Sequence, residues 1–286
     1  MRARRALGIH GGAAMDLGRM LANCVCSLHG ARAVARTAPE RALELRQVSP
    51  GLWTEILRSA AVVEAIYWNR LDMLLGVLQA AEVAPEEWAV ILSTAGAVEA
   101  VFANNLGRLV SALDAAGAGA SACWPPILRC KALILAVQED VFEDLIAGLR
   151  GLPLELWVDV LRCRATLQAV ARRNFQRVAQ ALAGVSPELW SDILHSTGFT
   201  EAVAQDDPEQ VAEGLAGVPC CLWAGILDSS GACEAIVWRN FPELITVLRR
   251  QGVSEYFWCN VLELSTPELY NAVFNGEMAH NSKLCC

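Results

Sequence analysis

The sequence predicts an all-α fold, a right-handed-type α-solenoid of about seven helical repeats with degenerate N- and C-terminal caps. Three observations carry that expectation. Trp53, Trp88, Trp124, Trp157, Trp190, Trp223 and Trp258 are separated by 35, 36, 33, 33, 33 and 35 residues. Each is followed at matching offset by an aliphatic pair: Ile56 and Leu57, Ile91 and Leu92, Ile127 and Leu128, Val160 and Leu161, Ile193 and Leu194, Ile226 and Leu227, Val261 and Leu262. Second segments reading VVEAI, AVEAV, TLQAV, FTEAV and ACEAI bring Glu64, Glu99, Gln168, Glu201 and Glu234 into register. A period of this length is the signature of stacked helical units, none of which buries its apolar faces alone.

Residues 185–217 show the unit at its clearest. Ser186 is the expected N-cap, Pro187 takes the first helical position where a missing N–H is harmless, and Glu188 faces the positive end of the helix dipole. Leu189, Trp190, Ile193 and Leu194 share one face, and Gly198 is the expected stop. A second segment from about Phe199 turns Ala202 and Val203 inward. Asp207, Pro208 and Gln210 then read as a start signal of the capping-box kind, Val211 and Leu215 as its apolar stripe, and Gly217 as its close.

Taken in order, the chain divides into a basic segment at 1–19, unstructured or targeting, a degenerate capping repeat at 20–47, the array at 48–275 and a tail at 276–286. The first 47 residues hold eight Arg against Asp16, Glu40 and Glu44, a balance of +5. The remainder sets fifteen basic against twenty-eight acidic residues, or −13. An acidic body repels a phosphate backbone, because nucleic-acid affinity rests on cations neutralising phosphates. Arg2, Arg4 and Arg5 precede any acid, a transit-like trait without the usual Ser enrichment, so organelle targeting stays open, and no apolar core of a secretory signal follows. Apolar residues make up 54% of the chain, yet no run reaches the roughly 18 of a membrane span.

Within the array, the ladder of large rings reads as equivalent core sites between units. Asn69, Asn104, Asp140, Asn174, Asp207 and Asn240 follow each second segment and read as helix caps. The unit at Trp124 departs from the pattern, since Pro125 and Pro126 follow its ring and the small-residue stretch 115–122 precedes it, so fraying is expected there. His195 lies three residues after Asp192, as Arg58 follows Glu55 and Arg162 follows Asp159, a surface ion-pair spacing.

Chemical motifs do not hold up. Gly117, Gly119 and Ala122 match a relaxed dinucleotide fingerprint, but a helical run and not a strand precedes them. His10, Gly11 and Gly12 suggest an oxyanion loop without any G-x-S-x-G elbow in the chain. Cys24, Cys26 and His29 lack a fourth zinc partner nearby. Eleven cysteines without framework spacing point to a reducing intracellular compartment, the cytoplasm first, with thiols used as small core side chains. The terminal Cys285 and Cys286 form a candidate lipidation pair, in the manner of Rab-type tails.

The unit resembles the roughly 34-residue repeat of TAL-effector proteins. Pro187 and Glu188 match that family's early Pro-Glu, Ile193 its first-helix Ile, Gly198 its inter-helix Gly, and Ala202 and Val203 its Ala-Leu. The resemblance implies helical stacking and places Ser196 and Thr197, with Thr94, Ala95, Ser229 and Ser230, where that family reads bases. The family's Lys-Gln beside the DNA backbone becomes Thr200 and Glu201 here, and Val98 with Glu99 and Cys233 with Glu234 likewise. Armadillo-like, HEAT-like and ankyrin-like arrays share parts of the pattern.

The expectation is therefore a non-enzymatic protein-interaction scaffold that holds a peptide or protein surface, of basic character, along one face of stacked helices, without cofactor or metal. The candidate partner-binding residues are Glu55, Arg58, Glu99, Asp159, Arg162, Asp192, Glu201 and Glu234. The alternative is a nucleic-acid-binding repeat protein, TAL-like or organellar, whose densest basic cluster is Arg162, Arg164, Arg172, Arg173 and Arg177.

Overall fold

The computed structural model describes residues 49–118 and 123–263. The basic head with His10, Cys24, Cys26 and His29, the capping repeat, the C-terminal cap expected near Thr266, Pro267 and Glu268, and the Cys285 and Cys286 pair lie outside the described residues. So do Gly119 and Ala122. The described residues are all-helical, without a strand among them, and the helices pack against their neighbours in sequence order.

The chain divides into two compact units, residues 1–143 and 144–286. In the first unit the order is α1 (Pro50–Arg58), α2 (Ala60–Tyr67), α3 (Leu71–Ala80), α4 (Pro85–Leu92), α5 (Ala95–Ala103), α6 (Leu106–Ala115), α7 (Trp124–Leu128) and α8 (Lys131–Gln138). The division falls within α9 (Phe142–Leu149). The second unit continues with α10 (Leu154–Arg162), α11 (Arg164–Arg172), α12 (Phe175–Ala181), α13 (Trp190–His195), α14 (Thr197–Ala204), α15 (Glu209–Gly214), α16 (Trp223–Asp228), α17 (Ser230–Val237), α18 (Phe241–Arg250) and α19 (Trp258–Leu262). In the first unit α1, α4 and α7 form one row, α2, α5 and α8 a second, and α3 with α6 a third. In the second unit the rows are α10, α13, α16 and α19; α11, α14 and α17; and α12, α15 and α18.

Two backbone breaks recur in each triplet. The first lies at Ser59, Thr94, Cys130, Cys163, Ser196 and Ser229, all extended and all at most 5% exposed. There each side chain turns back on the helix it ends: Ser59 Oγ donates to the Ile56 carbonyl at 2.6 Å, Thr94 Oγ1 to Ile91 at 2.6 Å, and Ser196 Oγ to Ile193 at 2.6 Å. Cys130 and Cys163 donate to Pro126 and Asp159 at 3.3 and 3.1 Å. The second break is a left-handed residue sixteen positions after each ladder tryptophan from Trp53 to Trp223: Asn69, Asn104, Asp140, Arg173, Asp206 and Arg239, with φ between 54 and 61°.

The ladder itself is a core feature. The six tryptophans from Trp88 to Trp258 are at most 6% exposed; the Trp53 side chain lies outside the description. Each of the six indoles donates to a carbonyl five or six residues upstream, from Trp88 to Val83 at 2.9 Å through Trp258 to Val253 at 2.9 Å. A buried indole N–H requires such a partner, and these bonds tie the entry of each first helix to the preceding turn.

Several local expectations are corrected. Gly198 does not stop the first helix. It sits inside α14, where an added Cβ would meet the Leu227 carbonyl oxygen at 2.5 Å, so its role is close approach between neighbouring helices. Ser186 is the N-cap and Pro187 the first helical residue, as expected, but of a single 3-10 turn, Pro187–Leu189, and the Ser186 hydroxyl bonds the Glu188 carboxylate instead of a backbone N–H, which lowers the Glu188 pKa below the usual carboxylate range. The Asn and Asp ladder merges two positions: Asn69, Asn104 and Asp140 are the left-handed residues, whereas Asn174, Asp207 and Asn240 stand one place later. Asn174 and Asn240 make no side-chain cap bond, and Gln210 Nε2 donates to the Asp207 carbonyl at 3.2 Å. At Trp124 the helix does not fray: α7 accommodates Pro125 and Pro126 in its first turn, where no N–H is needed, and buries Trp124 to 1%.

Candidate interaction surface

The second helices of each unit run parallel, because their ends are joined in register. Arg70, just past α2, donates to the Val101 and Phe102 carbonyls at the end of α5 at 2.8 and 3.1 Å. Arg239, just past α17, donates to the Gln205 carbonyl behind α14 at 3.0 Å. At the opposite edge, the first N–H of α14, on Thr197, donates to the Asp228 carboxylate at 2.8 Å. Parallel helices add their dipoles, so one edge of each row is electronegative and the other electropositive.

At the C-terminal edge the structure reveals a feature that sequence reasoning missed. Trp68 and Trp238, the two tryptophans off the ladder, both fall fifteen residues after a ladder member and four after a register carboxylate, Glu64 and Glu234. Trp68 is 43% exposed and Trp238 72%. Trp68 Nε1 donates to Glu64 Oε1 at 3.0 Å, Tyr67 and Phe102 approach its ring edge-on at 5.1 and 6.0 Å, and the Arg70 guanidinium lies 5.8 Å from its centroid. Val237 beside Trp238 is also exposed. The common offset of Trp68 and Trp238 was the available signal.

The sequence-predicted residues separate into two groups. Glu99, Glu201 and Glu234 are half-buried on α5, α14 and α17. Glu201 comes together with Asp228 and Glu263 around the Cys233 thiol, whose pKa burial raises first and these carboxylates raise further. Glu55, Arg58, Asp159, Arg162 and Asp192 are exposed on first helices, away from that edge. Asp159 and Asp192 flank the buried Cys163 thiol, which burial and then these two charges push up to about 12.

Two arginines of third helices hold forked ion pairs. Arg108 forks onto Glu143 at 3.1 and 2.9 Å and reaches Asp140 at 3.0 Å, and Arg177 forks onto Glu209 at 2.7 Å with Asp206 at 3.2 Å. His195 is not Asp192's partner; its Nδ1 lies 2.8 Å from the Ser191 carbonyl and 3.2 Å from Cys163 Sγ.

Of the six base-reading positions implied by the TAL resemblance, Ala95, Thr197 and Ser230 are exposed and the other three are buried. Thr94, Ser196 and Ser229 are at most 1% exposed and their hydroxyls are committed to helix carbonyls. Among the described residues no single helix is long and apolar enough to cross a membrane. The chain matches none of the protein-family models, curated proteins or solved structures with which it was compared.

Proposed function

We propose that this chain is a non-enzymatic scaffold, an α-solenoid of about seven repeats, in which each of the two compact units holds a basic segment of a partner protein at the C-terminal ends of its second helices. The observation that carries the reading is the repeated pairing of a half-buried carboxylate with an exposed indole one turn later, Glu64 with Trp68 and Glu234 with Trp238. A carboxylate beside an indole face, at the negative end of a row of helix dipoles, suits a Lys or Arg side chain, which gains Coulomb attraction and cation–π contact together. Arg70 over Trp68 is an internal example of that contact. Glu99 and Glu201 extend the negative register.

The test is a pull-down from nuclease-treated lysate with the wild-type chain, a Trp68→Ala/Trp238→Ala variant and a Glu99→Lys/Glu201→Lys/Glu234→Lys variant. Proteins with basic segments should be enriched by the wild-type chain, leave at moderate salt, and be lost from both variants. Equal capture by all three baits refutes the reading, and recovery of nucleic acid that disappears on nuclease treatment replaces it.

A further inference from the structure

The opposite edge of the first unit has the opposite chemistry. There the ends of α1, α4 and α7 meet the starts of α2, α5 and α8, and an open groove of about 410 Å³ runs across the three triplets, lined by Glu55, Arg58, Ala89, Val90, Ser93 and Arg129. Lys131, the first residue of α8, is exposed at the same edge. The unit's described residues carry five cations, Arg58, Arg70, Arg108, Arg129 and Lys131, against eleven acids. Arg70 is held by carbonyls and Arg108 by Asp140 and Glu143. The remaining three, Arg58, Arg129 and Lys131, make neither an ion pair nor a side-chain hydrogen bond among the described residues, and they lie at this edge, where Glu55 is the one acid lining the groove. Val90, 46% exposed, forms an apolar centre between Arg58 and Arg129, and the Ser93 hydroxyl is tied back to the Val90 carbonyl at 2.8 Å.

From this we infer that the groove is a docking site for an acidic segment of a partner protein, in which carboxylates flank an apolar side chain. The carboxylates face Arg58 and Arg129 at the two ends of the groove, the apolar side chain covers Val90, and the dipoles of α2, α5 and α8 add to the attraction. A protein segment fits better than a nucleic acid, because three cations with an apolar centre in a unit this acidic cannot neutralise a phosphate backbone. The site is separate from the carboxylate and indole edge and does not depend on it.

The experiment is fluorescence anisotropy on the full chain with three fluorescein-labelled probes: a peptide alternating aspartate with leucine, a peptide alternating lysine with leucine, and a single-stranded oligonucleotide. The acidic peptide should bind, and Arg58→Glu/Arg129→Glu should weaken it about tenfold or more, as expected for reversal of paired rim charges. Val90→Asp, which leaves both guanidiniums in place, should weaken the same probe, and Glu99→Lys/Glu201→Lys/Glu234→Lys should not. Circular dichroism establishes that each variant is folded; all the substituted groove positions are exposed. Absence of acidic-peptide binding, equal binding to wild type and the arginine variant, or preference for the oligonucleotide overturns the inference. Failure of the carboxylate and indole edge is read separately, as lysine-peptide binding that survives Trp68→Ala/Trp238→Ala.

Discussion

At the scale of single residues, Thr166 is one of four buried side chains, with Asn105, Asn174 and Gln210, that carry a polar atom without a hydrogen-bond partner among the described residues. It is fully buried on α11 and its hydroxyl has no hydrogen-bond partner among the described residues. Thr166→Val keeps the shape and removes an unsatisfied polar group, so stability in urea should rise by about 1 kcal/mol; a loss would mean that the hydroxyl is bonded after all. Cys163 makes the opposite case. Its thiol is buried, bonded to the Asp159 carbonyl, and raised to about 12 by burial and by Asp159 and Asp192. A folded pKa above the unfolded value of about 8.5 contributes stability fully below that pH and loses it as pH climbs toward the folded value. Wild type should therefore lose stability against Cys163→Ser as pH rises from about 8.5, and the native thiol should resist alkylation at neutral pH. Parallel pH curves for the two proteins would contradict the assignment. The equivalence of Cys130 and Cys163 with Ser59, Ser196 and Ser229 was legible in the sequence as a shared register of small side chains. Their function, closing the first helix on itself through a hydroxyl or thiol, was not, because a side-chain bond to a carbonyl three or four residues back leaves no spacing signal of its own.

Among the elements, the helices and the tryptophan register could be read directly, whereas the boundaries could not. Gly198 has the look of a helix stop, since glycine so often ends helices. Only the neighbouring α16 explains it, because the Leu227 carbonyl comes too near for any side chain. The approach recurs at Gly96, eight residues after Trp88, where an added Cβ would meet the Leu128 carbonyl oxygen at 2.6 Å, whereas Ala165 fills the same place after Trp157. Gly198→Ala should destabilise by about 1–3 kcal/mol through forced displacement of α16. Gly51→Ala, which meets nothing within 4 Å, is the control. Thermal unfolding that treats the two alike would refute the close-approach account. The left-handed residues tell a similar story. Asn69, Asn104 and Asp140 suit that conformation, but Arg173 and Arg239 adopt it too, imposed by the turn into the third helix. Residue preference alone therefore merged two neighbouring positions into one ladder.

For the molecule as a whole, charge placement matters more than net charge. Two readings follow from parallel second helices, a cation-seeking edge at their C-termini and an anion-seeking groove at the N-termini of the first unit. A chain whose body carries −13 should not hold duplex DNA at physiological salt. Any retardation by the full chain in an electrophoretic mobility assay should disappear when the eight arginines of residues 1–47 are replaced. Retardation that persists would reopen the nucleic-acid reading. By itself the sequence determined the helical class and the tryptophan register, because apolar periodicity and a repeated large side chain act within one short stretch of chain. Only the tertiary structure decided which residues share an edge, as with Arg58 and Arg129, or Glu201, Asp228 and Glu263. Such groups lie about one or two repeat lengths apart in the chain, and only parallel packing of successive helices brings their fields onto one surface.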